Sequence, residues 1–230
     1  MVRIGQCDLS TRPGIVAVID TDAIDTANEA RSMGADILEL RIDLVGITDA
    51  GELNDLLDQL ISQFKLPIIV TNRTRDEGGH WEGSESKRIE LLNSAISQAD
   101  CVDVELSSSM KDIVIESARF ANKTVIISSH DFKTTPGNML AILEQARDAG
   151  ADIPKLAVTP KSSIDTLNLL KVTQEVNFPV CTIAMGKLGS HTRVAAPIYG
   201  SVLTYGSVNE AVAPGQIRID DLRNMIEVLV

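Results

Sequence analysis

The amino-acid sequence predicts an α/β protein, a single-domain (β/α)8 TIM barrel that spans residues 1–230. Two observations predict this fold. Short apolar, β-branched runs alternate with helical runs along the whole chain, and no linker, low-complexity tract or change of composition interrupts them. Eight strands alternating with helices over this length are typical of a (β/α)8 barrel. A doubly wound open sheet is the alternative, although no GxGxxG follows the first strand.

Each element has its own pattern in the sequence. The strand-like runs are 14–20, 35–43, 67–73, 101–106, 124–131, 151–158, 179–186 and 202–208. The helical runs, in which apolar residues recur at helical spacing, are 52–64, 86–99, 109–122, 138–149, 164–176 and 218–229. Because parallel barrel strands all end at one mouth, polar residues near their carboxyl ends are candidates for a shared site.

Composition limits the classes of function. Hydrophobic residues make up 44% of the chain, which is enough for one large core. The formal net charge of −11 argues against nucleic acid or an anionic membrane as a partner. No apolar run approaches the ~20 residues of a membrane helix, and the first residues lack the apolar stretch of a signal peptide, so we expect a cytoplasmic protein. Cys7, Cys101 and Cys181 have no metal-like spacing and are expected to be reduced core thiols.

An internal repeat aligns polar residues on alternate strands. Three strands open with an Ala-Asp pair, and superposing ADILE, ADCVD and ADIPK aligns Glu39, Asp103 and Lys155. Superposing PIIVTNR, TVIISSH and PVCTIAM aligns Arg73, His130 and Met185. Equivalent positions on alternate barrel strands point inward in common layers. Such groups fill a core poorly, so they predict a site at the carboxyl mouth of the barrel.

Lys155 lies in the middle of a predicted buried strand, directly after a proline. One interpretation is a structural lysine that forms an ion pair with Glu39 or Asp103. The other is a nucleophile: in a desolvated pocket beside other cations the pKa of a lysine falls from about 10.4 to roughly 7.5, and the neutral amine attacks carbonyls. The arginines expected to provide those cations are Arg41, Arg73 and Arg193.

His130 ends the run IISSHDF and is the one histidine at a predicted strand mouth, where an imidazole can exchange protons near neutral pH. A hydrogen-bonded packing residue is the alternative. Its alignment with Arg73 in an inward layer, one strand from Lys155, favours the functional interpretation. His80 and His191 lie in predicted loops without metal-ligand spacing, so no metal site is predicted.

Seven segments, in order along the chain, resemble type I 3-dehydroquinate dehydratase. They are ELRID (39–43), TNRTRDEGG (71–79), DVEL (103–106), ISSHDF (127–132), PKLAV (154–158), MGKLGSHTR (185–193) and APGQ (213–216). The resemblance implies a (β/α)8 barrel, commonly a homodimer, that removes water from 3-dehydroquinate to give 3-dehydroshikimate in the shikimate pathway of aromatic amino acid biosynthesis. The reaction of this family passes through a Schiff base, an imine with an active-site lysine.

Carried over residue by residue, the resemblance implies a catalytic set and a binding set. In the catalytic set Lys155 forms the imine, His130 is the general acid/base, and Glu77 pairs with the histidine and orients it. In the binding set Arg193 grips the substrate carboxylate, and further contacts to the carboxylate, the hydroxyls or the ring come from Glu39, Arg41, Arg73 and Gln216. No metal or diffusible cofactor is expected, because the lysine itself supplies the electron sink.

Several alternatives and departures accompany this interpretation. A class I aldolase barrel acting on a phosphorylated sugar would use the same lysine, and a non-catalytic barrel that binds a small anion would need only the arginines. Glu39 and Arg41 share a strand face, so an intrastrand ion pair is a simpler role for them. Residues 186–193 contain glycines suited to a mobile cover over the substrate. Val212 stands where many members carry a serine, which leaves one hydroxyl contact in question.

Overall fold

The computed structural model describes residues 2–208 and 215–229, and within these ranges a parallel sheet of nine strands organises the chain. The strands are β1 (Gly14–Ile19), β2 (Ile37–Arg41), β3 (Ile68–Thr71), β4 (Cys101–Glu105), β5 (Thr124–Asp131), β6 (Ile153–Val158), β7 (Cys181–Ala184), β8 (Leu203–Ser207) and β9 (Ile217–Arg218). The first eight correspond to the predicted strands. A separate antiparallel hairpin pairs Arg3–Ile4 with Cys7–Asp8.

The sheet curls into a barrel. Strands β1 to β7 pair in chain order, and β8 pairs with β1 from Leu203 opposite Gly14 onward. Among the described residues, a parallel bridge from Val180 to Ser201 joins the ends of β7 and β8, and the N–H of Val202 donates to the carbonyl oxygen of Val180 at 2.8 Å. Near the carboxyl end of β8, its other edge pairs with β9. The predicted α/β fold with barrel topology is confirmed.

Helices of more than one turn cover the outside of the sheet. They are α1 (Ala23–Ser32), α2 (Ala50–Phe64), α3 (Glu85–Ala95), α4 (Lys111–Phe120), α5 (Met139–Asp148), α6 (Ser163–Glu175), α7 (Thr192–Ile198) and α8 (Ile219–Leu229). Helices α1 and α7 were not predicted. The buried residues of α1 are alanines and a threonine, so it lacks the large apolar residues that mark the others. In the described ranges, no helix combines the length and apolar character needed to cross a membrane.

Inward-facing residues change from apolar to charged along the strands. Residues two apart on a strand share a face. Glu39, Asp103 and Lys155 therefore lie one step above the fully buried Ile37, Cys101 and Ile153. We call Glu39, Asp103 and Lys155 the charged layer. The N-terminal hairpin contributes Ile4 to the apolar cluster below it. The lower barrel is thus filled by side chains, and the polar groups are confined to the carboxyl end.

The repeated Ala-Asp pair joins neighbouring strands at their amino ends. The carboxylate accepts a hydrogen bond from a backbone N–H of the preceding strand, in the pairs Asp36 to Ile15 at 2.9 Å, Asp100 to Ile68 at 3.0 Å and Asp152 to Val125 at 2.8 Å. In each pair the N–H of the aspartate donates to the carbonyl oxygen of the same partner residue. The repeat therefore fixes the register between an odd strand and the next even strand, which brings the charged layer to one level.

Replacing Asp100 tests whether the Ala-Asp pairs hold neighbouring strands together. Asp100→Ala should lower the free energy of unfolding by about 1–3 kcal/mol, because the N–H of Ile68 loses its acceptor at a buried strand end. Asp100→Asn keeps an oxygen acceptor and should lose less. Urea unfolding followed by circular dichroism gives both values, and an Asp100→Ala protein as stable as the wild type would show that the reciprocal pair does not hold the strands together.

Candidate active site

A cavity that is partly open to solvent lies at the carboxyl ends of the barrel strands. The side chains for which the sequence predicts a catalytic or binding role all line it. They are Lys155, His130, Glu77, Glu39, Arg41, Arg73, Arg193 and Gln216. Apolar and aromatic side chains complete the wall, among them Phe132, Met185 and Tyr205. A cleft with apolar walls and a few convergent polar groups is typical of a small-molecule site.

Lys155 reaches the cavity from β6 and is only 5% exposed. Its Nζ lies 3.0 Å from Oδ2 of Asp103, 3.0 Å from Oη of Tyr205 and 3.7 Å from Oε1 of Glu39. Burial alone lowers the pKa of Lys155, but the carboxylates of Asp103 and Glu39 outweigh it and raise the pKa. The charge of Arg73 lowers this pKa as expected, but the carboxylates outweigh it, so the expected net fall of the Lys155 pKa does not occur. Lys155 is therefore an ammonium ion, and it forms an ion pair with Asp103, one of the two partners that the sequence suggested.

Asp103 joins this lysine to Arg73. Its Oδ1 accepts from Nη2 of Arg73 at 2.8 Å and from the hydroxyl of Ser128 at 2.6 Å, while its Oδ2 faces Lys155. Burial alone raises the pKa of Asp103, but the charges of Arg73 and Lys155 outweigh it and hold the pKa well below its ordinary value. Asp103 is therefore a carboxylate at neutral pH and a poor proton acceptor.

Further ion pairs continue away from the cavity. Nη1 of Arg73 lies 3.1 Å from Oε1 of Glu105, and Oε2 of Glu105 lies 2.8 Å from Nη1 of Arg88. Arg88, completely buried in α3, also forms two hydrogen bonds with the partly exposed Glu85. The groups alternate in sign, and we call the series the charge ladder: Glu39, Lys155, Asp103, Arg73, Glu105, Arg88 and Glu85. Sequence reasoning missed Arg88, because an arginine in a helical run is usually a surface residue.

His130 is held by Glu77 at the edge of the cavity. Its Nδ1 lies 2.9 Å from Oε2 of Glu77, which also accepts from the backbone N–H of His130 at 3.0 Å. The hydroxyl of Ser107 donates to the other oxygen of Glu77 at 2.6 Å. Because a carboxylate only accepts hydrogen bonds, Nδ1 carries the hydrogen and Nε2 is the basic nitrogen.

The protonation state of His130 follows from its surroundings. Burial lowers the pKa of His130 well below 6.5, and the positive charges of Arg73 and Lys155 lower it further. Burial raises the pKa of Glu77, which the hydrogen bond from Ser107 and the charge of Arg73 partly offset. The imidazole of the free protein is therefore neutral at pH 7, the form that can accept a proton.

Arg193 provides a second buried guanidinium that lines the cavity. It lies in the first turn of α7, and the residue is 2% exposed. Its Nε donates to the carbonyl oxygen of Gly215 and its Nη1 to that of Tyr205, both at 3.0 Å. Burial lowers the pKa of Arg193 to about 10, so the guanidinium is still charged at neutral pH. Its backbone contacts fix the guanidinium beside Gln216, which follows Gly215 in the chain and lines the same cavity.

Arg41 and Glu39 do not form the intrastrand ion pair that was the simpler interpretation. At Arg41 the strand ends and a helical turn, Ile42–Val45, begins. This turn brings Asp43 back to Arg41, whose Nε and Nη2 lie 2.9 and 2.7 Å from the two carboxylate oxygens. Glu39 instead accepts from the hydroxyl of Thr71 at 2.8 Å. Asp43 was not predicted as part of the site, although it lies in the ELRID segment.

The segment 186–193, predicted to be a mobile loop that covers the substrate, is helical over most of its length. Gly186–Gly189 form one turn, and α7 begins at Thr192. A Cβ atom at Gly189 would lie 2.2 Å from the carbonyl oxygen of Ala184, so this glycine permits a close backbone approach. Movement of the segment over a substrate stays a prediction. Val212 lies outside the described residues.

Sequence reasoning missed Tyr205, whose hydroxyl group contacts Nζ of Lys155. Tyr205 lies on β8, two positions after the inward-facing Leu203, and is 4% exposed. Strand alternation was the available signal, because inward-facing Leu203 predicts that residue 205 also faces the interior.

A family profile, a curated relative and two solved structures that are similar to this chain all describe 3-dehydroquinases. The sequence profile of the family described as type I 3-dehydroquinase matches residues 15–229. The 3-dehydroquinate dehydratase of Methanococcoides burtonii is 49% identical over 233 residues, which cover 100% of both chains. The crystal structure of the enzyme from Geobacillus kaustophilus is similar with a TM-score of 0.89 and 34% identity, over 95% of this chain and 91% of that one. The type I enzyme from Clostridium difficile, solved with covalently modified comenic acid, gives a TM-score of 0.89 and 31% identity over 95% and 92% of the two chains.

The depressed pKa of His130 predicts a pH effect on stability. Below its ordinary pKa of about 6.5 the imidazole of the unfolded chain binds a proton that the folded protein excludes, so stability is present above this pH and is lost as the pH falls. Between pH 7.5 and 5.5 this group should cost the folded state about 1 kcal/mol. Urea unfolding at both pH values should therefore show a smaller loss in His130→Gln than in the wild type, and equal losses would contradict the neutral buried imidazole.

Proposed function

The chain belongs to the type I 3-dehydroquinase family, and from this premise we propose that it converts 3-dehydroquinate to 3-dehydroshikimate and water through an imine with Lys155. The observation that carries the proposal is the buried contact between Nζ of Lys155 and Asp103 in the same cavity as His130 and Arg193. An amine, a neutral imidazole and a guanidinium around one small cavity suit a substrate with a ketone, an acidic C–H bond and a carboxylate.

Substrate binding is assigned first to Arg193. Its buried charge is weakly solvated, so a substrate carboxylate beside it would replace the stabilisation that burial removes. Arg41 and Arg73 are each already paired with carboxylates, Asp43 for the first and Asp103 with Glu105 for the second. We therefore propose that Arg41 and Arg73, together with Glu39 and Gln216, contact the hydroxyl groups of the substrate and the side of its carboxylate that faces away from Arg193.

The first covalent step joins Nζ of Lys155 to the ketone carbon and releases the ketone oxygen as water. The amine must lose a proton before its lone pair can attack, and in the free protein Asp103 and Glu39 favour the ammonium form. The same carboxylates favour the product of this step, because the protonated imine carries a positive charge at the position of the ammonium. The charge ladder therefore supports the intermediate at the expense of the starting amine.

The dehydration itself is assigned to His130. The protonated imine withdraws electrons from the adjacent carbon, so its C–H bond becomes acidic enough for Nε2 of the neutral imidazole to take the proton. The resulting enamine expels the β-hydroxyl group, and the imidazolium returns the proton so that the group leaves as water. Hydrolysis of the imine then frees the product and the lysine. Glu77 keeps Nδ1 protonated throughout and stabilises the imidazolium.

Covalent chemistry in this family has support from a relative. The Clostridium difficile type I enzyme was solved with covalently modified comenic acid. We infer that the corresponding cavity here also forms a covalent adduct with a carbonyl compound, and we assign the nucleophile to Lys155.

The two alternative functions fit less well. An aldolase acting on a phosphorylated sugar needs cations for a dianionic phosphate, whereas Arg41 and Arg73 are already paired with carboxylates. A non-catalytic barrel that binds an anion gives no reason for a neutral His130 oriented by Glu77. It predicts saturable binding without turnover.

Assembly and location remain proposals that follow from the family resemblance. We propose a homodimer that acts in the cytoplasm. Large apolar side chains exposed on α6, Ile164 and Leu167, are compatible with a subunit contact.

Replacing the nucleophile tests the proposed function. Lys155→Met keeps the length of the buried side chain and should lower kcat for 3-dehydroquinate by ~10³-fold or more, because no other group can form the imine. Lys161→Met, at an exposed position after β6, is the matched control and should keep wild-type activity. The absorbance of the new conjugated double bond measures turnover, and circular dichroism checks folding, since removing one partner of a buried ion pair costs about 3–5 kcal/mol. A folded Lys155→Met protein with normal turnover would exclude the imine mechanism.

A further inference from the structure

The hydroxyl group of Tyr205 contacts the nitrogen atom that the imine mechanism uses. Its Oη lies 3.0 Å from Nζ of Lys155, and Nζ lies 4.2 Å from the centre of the Tyr205 ring. An ammonium group has hydrogens and no lone pair, so Nζ donates and Oη accepts. The phenolic hydrogen is then left for an acceptor in the cavity, which Tyr205 lines.

Imine formation needs two proton transfers, both from Nζ of Lys155 to the ketone oxygen of the substrate. In the first, the bond from Nζ to the ketone carbon forms, the C=O π bond breaks, and the ketone oxygen gains a proton that Nζ loses. In the second, the C–O bond breaks, the hydroxyl group takes a further proton from Nζ and leaves as water, and the nitrogen lone pair completes the C=N bond. The ammonium starts with three hydrogens and the protonated imine keeps one, so both protons pass from Nζ to the oxygen.

We propose that the Tyr205 hydroxyl relays these two protons; this inference rests on the imine mechanism proposed above. In each transfer Oη takes a proton from Nζ and gives its own hydrogen to the substrate oxygen, so the phenol is regenerated and gains no net charge. Hydrolysis of the product imine uses the same path in reverse. Tyr205 is thus a catalytic residue of imine formation and hydrolysis, while His130 acts on the C–H and C–O bonds of dehydration.

The other groups near Nζ are less suited to this relay. Asp103 already accepts hydrogen bonds from Arg73 and Ser128. Burial raises its pKa, but the charges of Arg73 and the lysine ammonium outweigh burial and hold the pKa well below its ordinary value, so Asp103 accepts a proton poorly. Glu39 lies farther from Nζ, at 3.7 Å. Ionised carboxylates also have no hydrogen to pass on. Burial first, and then the charge of Glu39, raise the pKa of Tyr205 well above its ordinary value, so the phenol keeps its hydrogen at neutral pH.

Removing the hydroxyl tests the relay. Tyr205→Phe keeps the ring that packs against the ammonium and deletes only the relaying oxygen. After rapid mixing with excess 3-dehydroquinate and quenching with borohydride at short times, this variant should form the Lys155 adduct about 10²-fold more slowly than the wild type. Tyr199→Phe removes the other tyrosine hydroxyl, from a side chain that is 41% exposed, and should react at the wild-type rate. An unchanged rate in Tyr205→Phe would overturn the relay, because a packing role needs only the ring.

A second measurement keeps the hydroxyl in place. In a Tyr199→Phe background Tyr205 is the one remaining tyrosine, so biosynthetic incorporation of 3-fluorotyrosine replaces it alone with a more acidic phenol. Because only the protonated phenol can donate, the relay predicts that the rate of adduct formation falls at a lower alkaline pH in the fluorinated protein. Identical pH–rate profiles would overturn it.

The wild-type protein separates failure of this inference from failure of the proposed function. If the wild type turns over without ever giving a Lys155 adduct, the imine mechanism is wrong and the relay falls with it. If the wild type gives the adduct and Tyr205→Phe matches its rate, only the relay is wrong.

Discussion

The buried ion pair between the Lys155 ammonium and the Asp103 carboxylate, with Nζ and Oδ2 at 3.0 Å, is the contact on which the rest of the site depends. Charges removed from water are costly unless each has further partners, and removing one partner leaves the next charge uncompensated. The charge ladder supplies those partners: Asp103 is shared with Arg73, Arg73 with Glu105, and the series ends at the partly exposed Glu85. The ladder therefore fixes the lysine as an ammonium and Asp103 as a carboxylate before any substrate arrives.

His130 is kept in the opposite state within the same cavity. The lysine lies between two carboxylates, so its pKa rises, whereas the histidine is buried close to cations, so its pKa falls. Two bases whose environments move their pKa values apart give one site both a cation and a neutral proton acceptor. The barrel makes this division possible, because the apolar residues of its lower interior keep water away from the charged layer, and the Ala-Asp pairs hold the strands in the register that assembles it.

Strand alternation and the internal repeat were sufficient to predict the fold and to bring Glu39, Asp103 and Lys155 to one level. The family resemblance selected the side chains that the structure gathers around the cavity. What the sequence could not provide is the set of carboxylates that pair with arginines of the site. Two of the arginines expected to lower the pKa of Lys155 are themselves paired with carboxylates, Arg41 with Asp43 and Arg73 with Asp103. Helix α1 and Tyr205 were missed for related reasons: alanines give no amphipathic signal, and a single inward tyrosine on β8 belongs to no repeat.

The central claim is that Lys155, protonated in the free protein, becomes the covalent nucleophile for 3-dehydroquinate. Its most direct test is to mix the wild-type protein with this substrate, reduce with borohydride, digest, and locate the added mass by peptide mass spectrometry. We expect one reduced adduct, on the peptide that contains Lys155. A fully active protein that carries no added mass, or carries it on another lysine, would contradict it.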